Sequence, residues 1–228
     1  MNIRCIRNFN NMNINITNSN FINNTADNGG SIYINENSKE EQSLILLSKI
    51  EKNLNFLLNK TNFESNTAKE YGGAIYVDYK KMYLNKMIDC NFKNNTANIG
   101  GAVYIPSNKN FKILNNIDCE FNDNVGKSHG NEYGSEPSYL KINDTLKKDN
   151  YTIFSGDLII SLDLYLFDEF DNLVNDPFFV YTDLVIDTIL YKRDNMNSSG
   201  DMVSNYYNKV NDDEYIITGN TCKFKGGT

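Results

Sequence analysis

One phrase recurs along this chain. It reads "FINNTADNGGSIYI" at 21–34, "FESNTAKEYGGAIYV" at 63–77 and "FKNNTANIGGAVYI" at 92–105. A reduced copy, "FNDNVGKSHGNEYG", begins at Phe121; it keeps Phe121 and Asn124 and loses the Gly-Gly-Ala portion. The phenylalanines step by 29 residues from Phe63 to Phe92 and again to Phe121, but by 42 from Phe21 to Phe63. The longer step points to an insertion near the charged "NENSKEEQ" after the first copy. Self-similarity of this length marks a solenoid, in which each unit buries its apolar side only against its neighbours.

Each Gly pair leads into a short alternating run, "SIYI", "AIYV" or "AVYI", which is the period of a β-strand. No helical pattern recurs with the repeat. "EEQSLILLSKIEKNLNFLL" (40–58) has helical spacing, but it occurs once. The expectation is a stack of coils built from short parallel strands, with equivalent residues about 4.8 Å apart. Phe21, Phe63, Phe92 and Phe121 then form an inward aromatic stack, and Asn24, Asn66, Asn95 and Asn124 an amide ladder at a turn. Ala26, Ala68, Ala97 and Gly126 keep the next corner small. The Gly pairs 29–30, 72–73 and 100–101 make a bend that a Cβ atom would obstruct.

Ser19, Thr61, Cys90 and Cys119 form another column. Parallel stacking holds the Cys90 and Cys119 Cβ atoms farther apart than a disulfide prefers, so two buried thiols are expected. Cys5 and Cys222 have no evident partner, and four cysteines in this length do not make a disulfide scaffold.

The strand after the Gly pair supplies the candidate binding surface. With Ile32, Ile75 and Val103 inward, Tyr33, Tyr76 and Tyr104 point outward in one ladder beside small Ser31, Ala74 and Ala102. Such a ladder can stack on sugar faces or seat the edge of a partner. Its plainer use is ring-on-ring packing that stiffens the sheet, and the opposite facing would bury the tyrosines.

The paired words, FxxN followed by GGA[ILV], resemble the polymorphic outer membrane protein repeat. The matches are Phe21–Asn24 with Gly29–Ile32, Phe63–Asn66 with Gly72–Ile75, and Phe92–Asn95 with Gly100–Val103. The resemblance covers roughly residues 15–130. It implies a right-handed parallel β-helix displayed at a cell surface, with adhesion as the usual role. Bacterial members also carry a signal sequence and a carboxy-terminal transporter barrel, and neither pattern is found here.

From Tyr151 the repeat words vanish. Short alternating runs between Asn, Asp and Gly turns suggest an antiparallel sandwich of immunoglobulin-like type, short of a full strand count. The expected organisation is a β-helix over 1–134, a junction over 135–150 and a sandwich over 151–228, all-β throughout. A sandwich packed on the last coil would cover an open strand edge.

A net charge of −7 and a pI near 4.8, with no basic patch, argue against nucleic-acid partners. No apolar run is long enough to span a bilayer. The opening "MNIRCIRNFNNMNINITNSN" lacks the core and cleavage site of a signal peptide, so that peptide is expected upstream of this sequence. Asparagine makes up about one residue in six, and this richness devalues the sequons at Asn23, Asn94, Asn143 and Asn150.

Parallel β-helices also host enzymes that cut acidic polysaccharides, and that is the alternative reading: a pectate-lyase-like or polygalacturonase-like enzyme, or a remnant of one. Such sites need convergent acids, or calcium with an Arg or Lys base. Here Arg4, Arg7 and Arg193 lie outside the clear repeats. Asp89 and Asp118 share a column and could hold calcium, but solvated turn acids are the simpler account. His129 is expected to be a polar loop residue. The chain therefore reads as a non-enzymatic extracellular or cell-surface display and adhesion module, with no cofactor or metal and a host-surface protein or glycan as partner.

Overall fold

The computed structural model describes residues 3–6, 12–35, 54–78, 86–106, 115–142, 164–176, 185–187, 191–193, 207–209 and 221–223. All regular structure among them is β. The chain divides into two compact units, Met1–Pro177 with Gly227–Thr228, and Phe178–Gly226.

In the first unit β1 (Ile3–Ile6) precedes four coils of four strands. The first coil is β2 (Met12–Thr17), β3 (Asn20–Ile22), β4 (Thr25–Asn28) and β5 (Ile32–Asn35). The second is β6 (Leu54–Asn59), β7 (Asn62–Glu64), β8 (Thr67–Tyr71) and β9 (Ile75–Asp78). The third is β10 (Lys86–Ile88), β11 (Asn91–Lys93), β12 (Thr96–Ile99) and β13 (Val103–Tyr104). The fourth is β14 (Asn115–Ile117), β15 (Glu120–Asn122), β16 (Val125–His129) and β17 (Tyr133–Gly134). Every strand pairs in parallel with its counterpart in the next coil, giving the sheets β2-β6-β10-β14, β3-β7-β11-β15, β4-β8-β12-β16 and β1-β5-β9-β13-β17. The stack of parallel coils expected from the repeat is present.

The long first step falls between β5 and β6, which are joined by residues 36–53 where residues 79–85 join β9 to β10. Leu54–Leu58, the end of the helically spaced run, lies in strand β6 with Phe56 and Leu58 buried. The two-residue alternation of those side chains matches the inner face of a sheet. The rest of that run, and the charged stretch after Asn35, lie outside the described residues.

Phe21, Phe63 and Phe92 are fully buried, and Phe121 packs against the same core. They stand in register, with ring centroids 5.0, 4.7 and 4.8 Å apart and planes within 6°. The strand spacing itself sets this face-to-face distance, so the register imposes the stack. Ile32, Ile34, Ile75, Val77 and Val103 line the same core.

The turn after each Phe carries the amide ladder. Asn66 donates from Nδ2 to Asn95 Oδ1 (2.9 Å) above it and to the Phe21 carbonyl (2.9 Å) below it. Its own Oδ1 accepts from the Asn24 backbone N (3.0 Å) and the Asn24 Nδ2 (2.8 Å). Asn95 repeats the pattern with Asn124 and Phe63. A side chain with two donors and two acceptor sites is thus saturated in the core, as burial requires.

Two corners per coil take positive φ without glycine: Asn18, Lys60, Asp89 and Asp118 at one, Asn23, Ser65, Asn94 and Asp123 at the other. Asn and Asp visit this region most readily, so part of the Asn and Asp content serves the coil geometry. The Gly pair is more demanding. Gly72 has φ of 65°, and a Cβ on Gly73 would lie 2.0 Å from the Gly101 carbonyl oxygen of the next coil. In the fourth coil Gly130 keeps the positive φ, so half of the pair survives there, and exposed Asn131 stands at the second position.

Beyond the coils, β18 (Pro137–Ile142) pairs antiparallel with β19 (Leu164–Asp168). The buried Asp168 carboxylate ties the following turn together. Oδ1 accepts from Phe170 N (2.9 Å) and Asn172 N (2.8 Å), and Oδ2 from Ser135 N (3.1 Å) and Asn172 Nδ2 (2.9 Å). Residues 168–175 then meet the last coil: Phe170 stacks on Tyr133 at 5.5 Å, Asn172 Nδ2 donates to the Tyr133 carbonyl (2.8 Å), and Asn175 N donates to the Ser128 carbonyl (3.3 Å). The cover on the final coil comes from this turn.

The second unit shows two antiparallel pairs, β20 (Val185–Asp187) with β23 (Thr221–Lys223), and β21 (Tyr191–Arg193) with β22 (Tyr207–Lys209).

Candidate functional site

Strands β5, β9 and β13 position the tyrosine ladder. Ile32 and Ile34, Ile75 and Val77, and Val103 and Ile105 are buried, so the intervening Tyr33, Tyr76 and Tyr104 emerge on the opposite face. The outward facing is the one adopted. Tyr33 pairs with Tyr76 and Tyr76 with Tyr104 in register, with ring centroids 4.8 and 5.5 Å apart. Tyr33 and Tyr76 are half-buried, but Tyr104 is only 1% exposed. Two groups outside the ladder cover it. Tyr71, at the end of β8, stacks on Tyr104 at 4.5 Å, and the Tyr104 hydroxyl donates to Glu136 Oε1 at 2.5 Å. In the fourth coil the ladder stops, because Gly134 pairs with Tyr104.

Ser31, Ala74 and Ala102 do not flank the ladder on the surface as expected; all three are fully buried. Ala102 O accepts from both Ala74 N (2.9 Å) and Ile75 N (3.0 Å), and Ala74 O likewise from Ser31 N and Ile32 N. Two N–H groups on one carbonyl are the pattern of a bulge, which breaks the alternation and turns both residues inward. Only a small side chain fits there.

Burial first, and Asp78 after it, hold the Tyr76 phenol well above its ordinary value. Tyr71 is raised by burial, then by Glu136 and Glu70. Both phenols are neutral hydrogen-bonding and stacking groups near neutral pH. Tyr71 and Glu136 were not among the sequence candidates. Tyr71 shares its column with Asn28 and Ile99, so the repeat carries no tyrosine signal there. Glu136 would have emerged from carrying the coil register through Gly134, since its backbone N bonds to the Pro106 carbonyl one coil below.

The other sequence candidates resolve as follows. Asp89 and Asp118 are exposed corner residues at positive φ, and among the described residues no group of three or more His, Cys, Asp or Glu is placed to hold a metal ion. Cys90 and Cys119 are free thiols, Cys90 buried and Cys119 partly so. Each bonds to the carbonyl two residues before it, as Thr61 does in the same column. Burial pushes the Cys90 thiol up to about 11.

His129 is not the polar loop residue expected. It ends strand β16, is 4% exposed, and places Nδ1 at 3.0 Å from Ser128 Oγ and Nε2 at 2.9 Å from the Ser135 carbonyl. A carbonyl only accepts, so Nε2 carries a proton. Asp168 Oδ2 lies 3.9 Å from Nε2, and both Asp168 oxygens are already occupied by four N–H donors. Ser128 Oγ donates to the Asn175 carbonyl. Ser128, His129 and Asp168 thus bind the turn to the last coil instead of aligning a hydroxyl for attack, which requires imidazole held between nucleophile and carboxylate.

Residues 60–78 and 89–106 match the family model of the Chlamydia polymorphic membrane protein repeat. Two stretches of the chain carry this repeat. Its two matched copies are the second and third coils, each running from a positive-φ corner, Lys60 or Asp89, through the Phe and Asn columns and the Gly pair to the ladder strand. The repeat therefore includes Tyr76 and Tyr104 within its matched span. No curated protein and no solved structure matches the chain. No helix among the described residues is long and apolar enough to cross a membrane.

Proposed function

We propose that this chain is a display and adhesion module of a cell surface, working by binding and without catalysis. The observation that carries the proposal is the in-register ladder of Tyr33, Tyr76 and Tyr104, with Tyr71 beside it, on the outer face of coils that carry a membrane-protein repeat. A rigid β stack holds aromatic rings at fixed spacing, so a partner meets the preorganised rings of Tyr33, Tyr71 and Tyr76, backed by buried Tyr104, and little ordering entropy is lost on binding. The partner on this reading is a glycan or protein of a host surface. For residues 151–228 the Ig-like sandwich reading draws its support from the antiparallel pairing of β20 with β23 and β21 with β22, whereas β19 pairs with β18 in the unit of the coils.

The test is adherence of the immobilised chain to host cells and to a glycan panel. Binding above an inert protein control, reduced at least tenfold by Tyr76→Ala and kept by Tyr76→Phe, is the expected result. Absence of binding to either, or binding indifferent to Tyr76→Ala, overturns the proposal.

A further inference from the structure

The ladder is not surrounded evenly. Tyr71, Tyr76 and Tyr104 form a corner of three rings, with Tyr71 tilted 51° to Tyr76 at 6.4 Å and stacked on Tyr104 at 4.5 Å; Tyr104 is buried behind them, so Tyr71 and Tyr76 present the accessible rings. Tyr33 extends it along the sheet. Among the described residues, three carboxylates stand beside this corner. Glu136 meets the Tyr104 hydroxyl at its edge, Glu70 adjoins Tyr71 in the chain, and Asp78 follows Tyr76 by two residues, on the same face of β9. Glu70 and Glu136 are exposed. Among the described residues, the basic side chain that adjoins Glu70, Lys69, is engaged at 2.7 Å by Asp27.

We propose that this acid-rimmed tyrosine corner is a docking site for an arginine- or lysine-bearing segment of a partner protein. The inference rests on the adhesion reading and names the chemistry of its ligand. Aromatic faces carry negative quadrupole potential and attract guanidinium or ammonium groups, and carboxylates at the rim add to that attraction. A neutral glycan would also use the rings and could donate hydroxyls to the carboxylates, but it would not gain the charge attraction that a cation gains. The net charge of −7 works in the same direction, steering cationic partners toward the chain.

The probe is a fluorescein-labelled decamer of arginine, with a citrulline decamer of equal length as the neutral counterpart, titrated by fluorescence anisotropy at near-physiological salt. Three variants decide the matter: Tyr76→Ala; a rim variant combining Glu70→Gln, Asp78→Asn and Glu136→Gln; and a distant variant combining Asp118→Asn, Glu120→Gln and Asp123→Asn. Glu136→Gln keeps an acceptor for Tyr104, which protects the fold, and circular dichroism confirms it for every variant. The expected result is arginine binding that falls at least tenfold in Tyr76→Ala and in the rim variant, changes less than threefold in the distant variant, and is not seen with citrulline. An equal loss in the distant variant means attraction to net charge alone and overturns the inference. Adherence to host surfaces that is lost in Tyr76→Ala but unchanged in the rim variant also overturns it, while leaving the adhesion reading intact.

Discussion

Asn66 Nδ2 lies 2.9 Å from Asn95 Oδ1, and the same oxygen accepts the Asn66 backbone N–H at 3.0 Å. One side-chain carbonyl thus serves both donors of the residue beneath it, while its own amide nitrogen reaches the Phe63 carbonyl at 2.9 Å. The ladder and the aromatic stack share atoms, because each Asn holds the backbone of the Phe one coil below.

Asn95→Ala strips two donors and one acceptor of their partners in a fully buried site. Each unsatisfied buried group costs roughly 1–3 kcal/mol, with incomplete additivity, so a loss of about 2–4 kcal/mol is expected from urea unfolding. Asn94→Ala, at the exposed corner beside it, loses only the tolerance of positive φ and is expected to cost about 1 kcal/mol. Equal effects would show that the ladder contributes nothing special.

Gly73→Ala places a methyl 2.0 Å from the Gly101 carbonyl oxygen, and the obstacle is backbone that is itself bonded to the next coil. The expected outcome is failure to recover folded protein. Asn131→Gly, at the exposed equivalent in the last coil, gives up only the hydrogen bond from Gly126 N and is expected to cost about 1 kcal/mol with the circular dichroism spectrum unchanged.

The two thiols of one column are expected to react differently. Iodoacetamide mapping by mass spectrometry should label half-buried Cys119 well before buried Cys90. The Cys90 thiol is raised from 9.0 to about 11, so the folded state holds its proton more tightly than the unfolded chain. Its contribution to stability is present below pH 9 and is lost as pH rises through about 11. Cys90→Ala should flatten that segment of the stability curve, and an unchanged slope would contradict the assignment.

Asp168→Ala removes the acceptor of four N–H groups at the turn covering the last coil. Limited proteolysis should then cut within 169–175 in the variant and spare the parent chain, with a fall in stability of about 2–4 kcal/mol. Resistance equal to that of the parent would mean that the contacts of Phe170, Asn172 and Asn175 with the last coil hold the turn without the carboxylate.

Much of the coil stack was legible because it repeats. Phe21, Phe63 and Phe92 recur at fixed positions, and a parallel register converts a spacing in the chain into a distance in space. The repeat put Tyr33, Tyr76 and Tyr104 in one column but left their facing open, and the burial of Ile32, Ile75 and Val103 decided it. Features that occur once escaped. Tyr71 has no tyrosine counterpart in its column, and the inward turn of Ala74 depends on a bulge that alternation does not encode. The partners of Ser128 and His129 arrive from residues 135, 168 and 175.

The order of residues alone determined which side chains would be stacked, since a solenoid gives each position a neighbour of its own kind. Tertiary structure decided what closes the stack and what covers the tyrosines. Those contacts join Tyr104 to Glu136 and Ser135 to Asp168, pairs more than thirty residues apart that lie outside any period. A local pattern specifies an interaction only where the interaction repeats with it; a unique long-range contact is selected by the free energy of the whole fold.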